Sequence, residues 1–343
     1  MKKVFALSVS VLLVANLLTV CANDQEKDPY MTRSFPASSV KSIEAVTSGG
    51  SLTVSGNAGS EAIVEVYASR SGWSDEKIKQ ALDENYTLDI RIEGDKLSAV
   101  AKQKKSITDW NRQGVSISFK ITVPQQVDSK LQTSGGSIRI NDISGSHNFT
   151  TSGGSLSVEN ASGNIVGRTS GGSITVTDSK DNIDLTTSGG SITAKDCSGK
   201  IKLATSGGSI RMSNLSGSIN AATSGGSITA NDVEGTLKTG TSGGSVNLDD
   251  ISGNLDAHTS GGSMNVEMVS VNEYVKLSNS GNLKLILPSG KGYDLKVKAN
   301  KIETSGLKDF RGNVETRSLE GTVGSGGPKI NVNCSQRASL SFE

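Results

Sequence analysis

Aromatic side chains are scarce in this sequence, since Phe, Trp and Tyr together make up 4% of its 343 residues. So few rings exclude the aromatic-rich core of an ordinary globular domain, and they leave few platforms on which bases or sugars could stack. Histidine occurs twice and cysteine three times, whereas glycine occurs 40 times. This balance favours an architecture with many tight bends and a narrow interior.

Net charge is also nearly absent. The 35 Lys and Arg side chains balance 34 Asp and Glu side chains, which gives a formal net charge of +1. This balance provides no electrostatic reason to expect nucleic acid, an anionic membrane surface or an acidic polymer as a partner. We therefore predict no nucleic-acid partner, and we leave the partner open between a glycan and a protein of the host or the cell envelope.

The only long hydrophobic run lies at the extreme N-terminus, at Val4–Val20, directly after Lys2 and Lys3. A basic start, an apolar run and a polar continuation are the layout of a secretory signal peptide, which predicts that residues 1–22 are removed on export. No later stretch is long and apolar enough to span a membrane as a helix. We expect an exported protein of the periplasm, outer membrane or cell surface, without a transmembrane segment after signal removal.

Two cleavage sites compete at the end of this segment. Val20 and Ala22 stand at the positions that an ordinary signal peptidase reads, which predicts cleavage after Ala22. Residues 18–21, Leu-Thr-Val-Cys, resemble a bacterial lipobox, in which Cys21 becomes the lipidated N-terminus. A lipobox usually has Gly, Ala or Ser before its cysteine. We therefore expect ordinary cleavage and keep lipid attachment at Cys21 as the alternative.

The chain between the signal segment and the repeats reads mostly as irregular β structure. Residues 23–34 are polar and predict a flexible leader, and residues 35–127 predict irregular N-terminal coils. One helix is expected at about 74–85, because Ser74 can cap its first turn and apolar residues then recur at i, i+3 and i+4. This helix should cover an end or flank of the β structure.

One pentapeptide, Thr-Ser-Gly-Gly-Ser, organises the rest of the chain, and it recurs every 18 residues without slippage. An outlying copy begins at Thr47. Such periodicity is the signature of a repeat architecture and outweighs local propensity. The regular copies begin at Thr133, Thr151, Thr169, Thr187, Thr205, Thr223, Thr241 and Thr259.

Each repeat, numbered from its Thr, has apolar residues at positions 6 and 8 in every copy, and a looser alternation at positions 15 and 17. Apolar residues two apart predict strands with one buried face, and Gly at positions 3, 4 and usually 13 predicts bends between them. A constant repeat length is required when coils stack in register. The sequence therefore predicts an all-β parallel β-helix or solenoid with 18-residue coils, for which we expect right-handed winding.

The ends of the solenoid and its outward columns follow from the same pattern. Regular coils are expected over residues 128–276, and irregular C-terminal coils with a cap over residues 277–343, because terminal repeats are usually atypical. Side chains alternate between the two sides of a strand, so if positions 15 and 17 point inward, the next Thr, at position 19, points inward too. The Asp or Asn at position 10 fits a corner where its side chain bonds nearby backbone. A recognition surface is expected at the variable outward positions 7, 9, 16 and 18, or in the end segments.

Three kinds of site fit this pattern poorly. A calcium β-roll needs Gly-Gly-x-Gly-x-Asp, whereas Gly-Gly is followed here by Ser and a hydrophobe. A Thr array that binds ice or another ordered surface would need exposed Thr side chains, whereas the alternation predicts that they point inward. The sequence shows no recognisable catalytic cluster, because His147 and His258 lie in different repeats and neither has a nucleophile at motif spacing. We predict no catalytic, cofactor-binding or metal-binding residues, and whether Cys197 and Cys334 form a disulfide is left open.

The recurrent Thr-Ser-Gly-Gly-Ser-Ile-x-Val, followed by Ser-Gly-x-Ile, resembles the repeat domains of the bacterial "putative adhesin" family and, more loosely, the head domains of auto-transporter adhesins. Ile121–Pro124 and Gly326–Val332 look like that family too, and the resemblance covers about residues 35–343. It implies an exported β-solenoid with a role in adhesion or in the envelope. No functional residues transfer from it.

These observations together favour a non-catalytic, exported cell-envelope or surface protein that acts as an adhesin or binding scaffold. The alternative is a periplasmic envelope-stress or scaffold protein. A carbohydrate-processing β-helix enzyme is a more distant alternative, because such enzymes assemble acids and bases in a groove that sequence spacing does not reveal.

Overall fold

The computed structural model describes residues 28–104 and 114–343, and it shows an all-β solenoid with one α-helix. The predicted signal segment and Cys21 lie outside the described residues. The N-terminal elements are β1 (Met31–Pro36), β2 (Ser42–Val46), β3 (Leu52–Asn57), β4 (Glu61–Ser69), α1 (Asp75–Asn85), β5 (Tyr86–Glu93), β6 (Lys96–Gln103) and β7 (Ser116–Pro124), with a 3₁₀ turn at Ala37–Ser39.

The regular repeats form stacked coils, in which the earlier coils have two separate strands and the later ones a single strand that runs around the corner. These strands are β8 (Asp128–Gln132), β9 (Ile138–Asn141), β10 (Ser144–Thr150), β11 (Leu156–Glu159), β12 (Ser162–Thr169), β13 (Ile174–Thr177), β14 (Lys180–Thr187), β15 (Ile192–Thr205), β16 (Ile210–Thr223), β17 (Ile228–Thr241), β18 (Val246–Thr259) and β19 (Met264–Asn279).

The C-terminal segment consists of shorter strands. They are β20 (Leu283–Leu287), β21 (Tyr293–Lys298), β22 (Lys301–Ser305), β23 (Phe310–Val314), β24 (Ser318–Val323), β25 (Lys329–Cys334) and β26 (Arg337–Phe342).

Every coil contributes to two faces. Positions 6–9 form the short-strand face, and positions 12–18 form the long-strand face. Successive coils pair in parallel with equivalent residues side by side, as in Ile192 beside Ile210 and Ile201 beside Ile219. The constant 18-residue period is thus the length of one coil, as the sequence predicts.

The core is a set of apolar columns that run along the solenoid axis. Positions 6, 8, 15 and 17 alternate with outward residues and are buried in coil after coil. Within one column, a large side chain in one coil can be matched by a small residue in the next coil. Phe149 occupies position 17 of the first regular repeat, and Gly167 follows it in the next coil. A Cβ atom on Gly167 would lie 2.4 Å from the Phe149 ring, so the missing side chain makes room for the aromatic one.

The two ends of the solenoid do not stack in chain order. At the N-terminal end, β2 lies between β6 and β8, and β3 lies between β7 and β9. At the C-terminal end, β25 lies between β19 and β21, while β26 lies between β20 and β22. Each end of the stack therefore contains a coil that is out of chain order and lies between two other coils, which a simple serial order does not predict.

The first strand corrects one sequence expectation, because residues 31–34 belong to β1 and not to a flexible leader. Most of its side chains are exposed, so its sequence looks polar, but its backbone pairs antiparallel with β4. The expected helix is confirmed at Asp75–Asn85, where the Ser74 hydroxyl accepts a hydrogen bond from the backbone N–H of Lys77. Within the described part of the chain, no helix is long and apolar enough to cross a membrane.

Candidate functional site

The Thr of each repeat points into the solenoid, as parity predicts. Thr205 is typical, since its hydroxyl donates to the carbonyl oxygen of Gly190 at 2.8 Å and accepts from the backbone N–H of Gly208 at 3.2 Å. One hydroxyl thus satisfies backbone groups of two neighbouring coils at the glycine bend. The Thr column is buried along the rod, so it forms no exposed array for an ordered surface.

The Asp and Asn column at position 10 marks a corner in the left-handed backbone region, with φ between 48 and 59° in all seven repeats that have it. Asp and Asn tolerate this conformation better than other non-glycine residues, which explains the column. Some of these side chains bond to one another and not to nearby backbone. Asn160 donates to Asp142 at 2.7 Å and Asn214 donates to Asp196 at 2.6 Å. These hydrogen bonds hold the pKa of Asp142 and Asp196 below its usual range.

The two histidines lie on opposite sides of the long-strand sheet. His147 fills core position 15, with its Nδ1 atom 3.0 Å from the Ser129 hydroxyl and no partner for its Nε2 atom among the described residues. Burial lowers the pKa of His147 to about 4. His258 is exposed and lies beside Gly240. The structure therefore does not bring the two imidazoles together in one site.

The two described cysteines are both free and buried. Cys197 lies in β15 within the regular repeats, and Cys334 lies in β25 near the C-terminal end. Burial raises the pKa of both thiols. Both side chains behave as small apolar residues that fill an inward column, and the disulfide left open by the sequence is not formed in this structure.

A groove of about 300 Å³ lies on the outward side of the long-strand face, where β19, β25 and β21 run parallel and in register. Two rows of side chains cross these strands. Asn331 stands between Lys276 and Lys296 in the first row. The second row contains Ser278, Asn333 and Lys298.

Only one of the three groove lysines is neutralised within the described residues. Lys296 forms an ion pair with Glu320 at 3.3 Å. No carboxylate of the described chain lies within 4 Å of the ammonium groups of Lys276 and Lys298. Both side chains are exposed. The groove therefore presents two ammonium groups without an ion-pair partner beside two amides and a hydroxyl, although Asp256 of β18 stands next to Lys276 in register.

The positive charge extends along this face, in contrast to the near-zero charge of the whole chain. From β15 to β23, outward Lys and Arg side chains outnumber outward Asp and Glu side chains. The cations are Lys200, Lys202, Lys238, Lys276, Lys296, Lys298, Lys329 and Arg311, and the carboxylates are Glu234, Asp256, Glu273, Asp294 and Glu320.

The sequence places a recognition surface at the variable outward positions or in the end segments, and the groove lies where these two regions meet. Sequence spacing does not reveal the groove itself. Lys276 and Lys298 belong to β19 and β21, and the strand between them, β25, is supplied by residues 329–334. Their proximity depends on that late strand entering between two earlier ones.

Comparisons with known proteins find solved structures at low identity and low TM-score. No family model and no curated protein matches this chain. A structure titled "putative cell adhesion protein" from Clostridium sporogenes is 10% identical, with 91% of this chain and 98% of that chain covered and a TM-score of 0.21. A "putative adhesin" from Bacteroides fragilis is 11% identical, with 91% and 96% covered and a TM-score of 0.26. A "putative lipid binding protein" from Parabacteroides distasonis is 13% identical, with 93% and 98% covered and a TM-score of 0.28.

Proposed function

We propose that this chain is an exported, non-catalytic binding protein that presents its long-strand face at the bacterial surface as an adhesin-type scaffold. The observation that carries the proposal is the groove on that face, with its exposed Lys276 and Lys298. The face around it is continuous from β5 to β23 and is roughly 70 Å long at about 4.8 Å per strand. A rigid rod of this length can hold a groove away from the surface that anchors it.

The predicted signal segment at residues 1–22 supports export, and the buried Thr column supports a structural role for the repeats themselves. Binding is then assigned to outward side chains that vary between coils. This division leaves the repeat motif free to maintain register while the variable positions determine what is recognised.

Location and binding are tested separately. Intact bacteria that express the full-length protein are treated with a non-penetrating protease, and lysed cells serve as the control for cleavability. Loss of the protein from intact cells supports the surface proposal, whereas full protection favours the periplasmic scaffold.

The purified mature protein is then screened against glycans and extracellular matrix proteins. Failure to bind any member of either set contradicts the binding function.

A further inference from the structure

We propose that the groove formed by β19, β25 and β21 binds an acidic polysaccharide, with the ammonium groups of Lys276 and Lys298 facing carboxylate or sulfate groups of the sugar chain. This inference rests on the proposed function as a binding protein and adds the class of ligand and its site. It departs from the expectation drawn from net charge, because the charges are unevenly distributed over the surface.

The first argument is the spacing of the two groove lysines that form no ion pair within the described residues. Lys276 and Lys298 lie two strands apart across the sheet and two residues apart along it, which places their Cα atoms roughly 12 Å apart. An extended polymer with an acidic group on successive sugars can meet both ammonium groups at once, whereas a single small anion cannot. Two separated charges therefore favour a polyanionic chain.

The second argument is the chemistry between the charges. Asn331 and Asn333 stand on the central strand, and Ser278 flanks Asn333. Among the described residues, the side chains of these two asparagines make no hydrogen bond. An amide donates and accepts, and a serine hydroxyl does both, so together they match the hydroxyl groups of a sugar. Free amides flanked by ammonium groups are suited to an acidic sugar more than to an anion without hydroxyl groups.

The third argument concerns the competing polyanions. A bilayer surface is held by basic residues together with apolar side chains that enter it. On the outward side of the three groove strands, the only aromatic residue is Tyr274, which is half-buried, and β19 also has the exposed Val269. The exposed large hydrophobics Val269 and Val314 lie outside the groove lining. Single-stranded nucleic acid needs successive stacking rings, and one tyrosine does not supply them.

The test compares two double variants of the full mature protein. Lys276→Gln/Lys298→Gln removes the two groove charges that form no ion pair. Lys180→Gln/Lys284→Gln removes the same amount of charge from exposed lysines of the regular coils and of β20, outside the groove. Equal melting temperatures show that both variants are folded.

Binding is measured calorimetrically with polygalacturonate and heparin as acidic chains, dextran as a neutral chain, and phosphatidylglycerol vesicles as an anionic membrane. We expect the unmodified protein to bind at least one acidic chain and not dextran, with affinity that falls as salt increases. The groove variant should bind about tenfold more weakly or worse, as expected for the loss of two charged contacts, while the control variant changes less than about twofold.

Three outcomes would overturn the inference. They are equal losses in both double variants, binding to vesicles without binding to either acidic chain, and no binding to polygalacturonate or heparin. The third leaves the proposed function standing if the glycan and matrix screen finds a different ligand. If that screen is also empty, the proposed function fails together with the inference.

Discussion

The two glycines of each repeat motif meet different surroundings at the residue scale. A Cβ atom on Gly208 would lie 2.0 Å from the carbonyl oxygen of Gly190, whereas one on Gly207 would lie 3.5 Å from that of Gly189. The shorter distance is a clash with backbone and the longer one is ordinary contact. Only the second glycine is therefore required for the stacking of coils, although the motif contains both.

Gly208→Ala and Gly207→Ala form a matched pair that tests this difference. We expect Gly208→Ala to lower the free energy of unfolding by about 2 to 3 kcal/mol, because neighbouring coils must separate locally to admit the methyl group. Gly207→Ala should change it by less than about 1 kcal/mol, since its methyl group meets the neighbouring backbone only at ordinary contact distance. Urea unfolding monitored by circular dichroism measures both, and equal losses would contradict the steric explanation.

The buried imidazole of His147 makes stability depend on pH. The folded protein resists protonation of this group until pH falls to about 4, whereas an unfolded histidine titrates near 6.5. The unfolded state therefore binds more protons between these values, and stability falls as pH decreases through that window. Burial causes the shift, and the nearby Asp128 carboxylate opposes it.

His147→Ile should remove this dependence, because Ile165 and Ile183 occupy the same core column in the following coils. Between pH 7 and pH 4, the unmodified protein should lose on the order of 3 kcal/mol more stability than the variant. His258→Asn provides the control, since its imidazole is exposed. If His147→Ile retained the full pH dependence, other groups would have to account for it.

At the scale of elements, the last two strands connect parts of the C-terminal end. β25 pairs with both β19 and β21, and β26 pairs with both β20 and β22. Without them, β21 would keep only its antiparallel partner β24. The final 16 residues therefore attach the preceding C-terminal strands to the rod.

Removal of residues 328–343 should release that segment without unfolding the regular repeats. Hydrogen exchange of the truncated protein is expected to show fast exchange over residues 290–327 and unchanged protection over residues 151–258, because those coils keep both neighbours. Persistent protection of β21 and β24 would show that β25 is not needed to hold them.

Sequence patterns predicted the helix and the strands better than they predicted which strands lie side by side. Ser74 and the apolar spacing after it located the helix, and two-residue alternation located strands of the regular coils such as Ile138–Asn141. The alternation cannot say which strand pairs with which, because any inward-facing column can pack against any other. For the same reason, the groove between β19 and β21 was beyond prediction, although its general location was expected.

For the whole molecule, the most informative contrast is between total and local charge. A net charge of +1 suggested no attraction to acidic polymers, yet the long-strand face near the C-terminal end collects lysines. Net charge sums over all faces of a rod, and a ligand meets only one of them. Parity indicates which residues point outward, so a charge count for each face was within reach of the sequence in the regular coils.

The regular coils also predict how the molecule responds to a change of length. Deletion of residues 187–204 removes one full coil and joins Thr186 to Thr205, so every downstream residue keeps its column. The shortened protein should retain its circular dichroism spectrum and lose only the stability contributed by one coil and one interface between coils.

Deletion of residues 187–203 removes one residue fewer, and the coil at the junction then contains 19 residues. The extra residue must form a bulge or shift an inward column toward solvent, because side chains alternate between the two sides of a strand. We therefore expect the 17-residue deletion to unfold at lower urea concentration than the 18-residue deletion, although it retains more of the chain. Equal stability of the two proteins would mean that register between coils is not what the 18-residue period maintains.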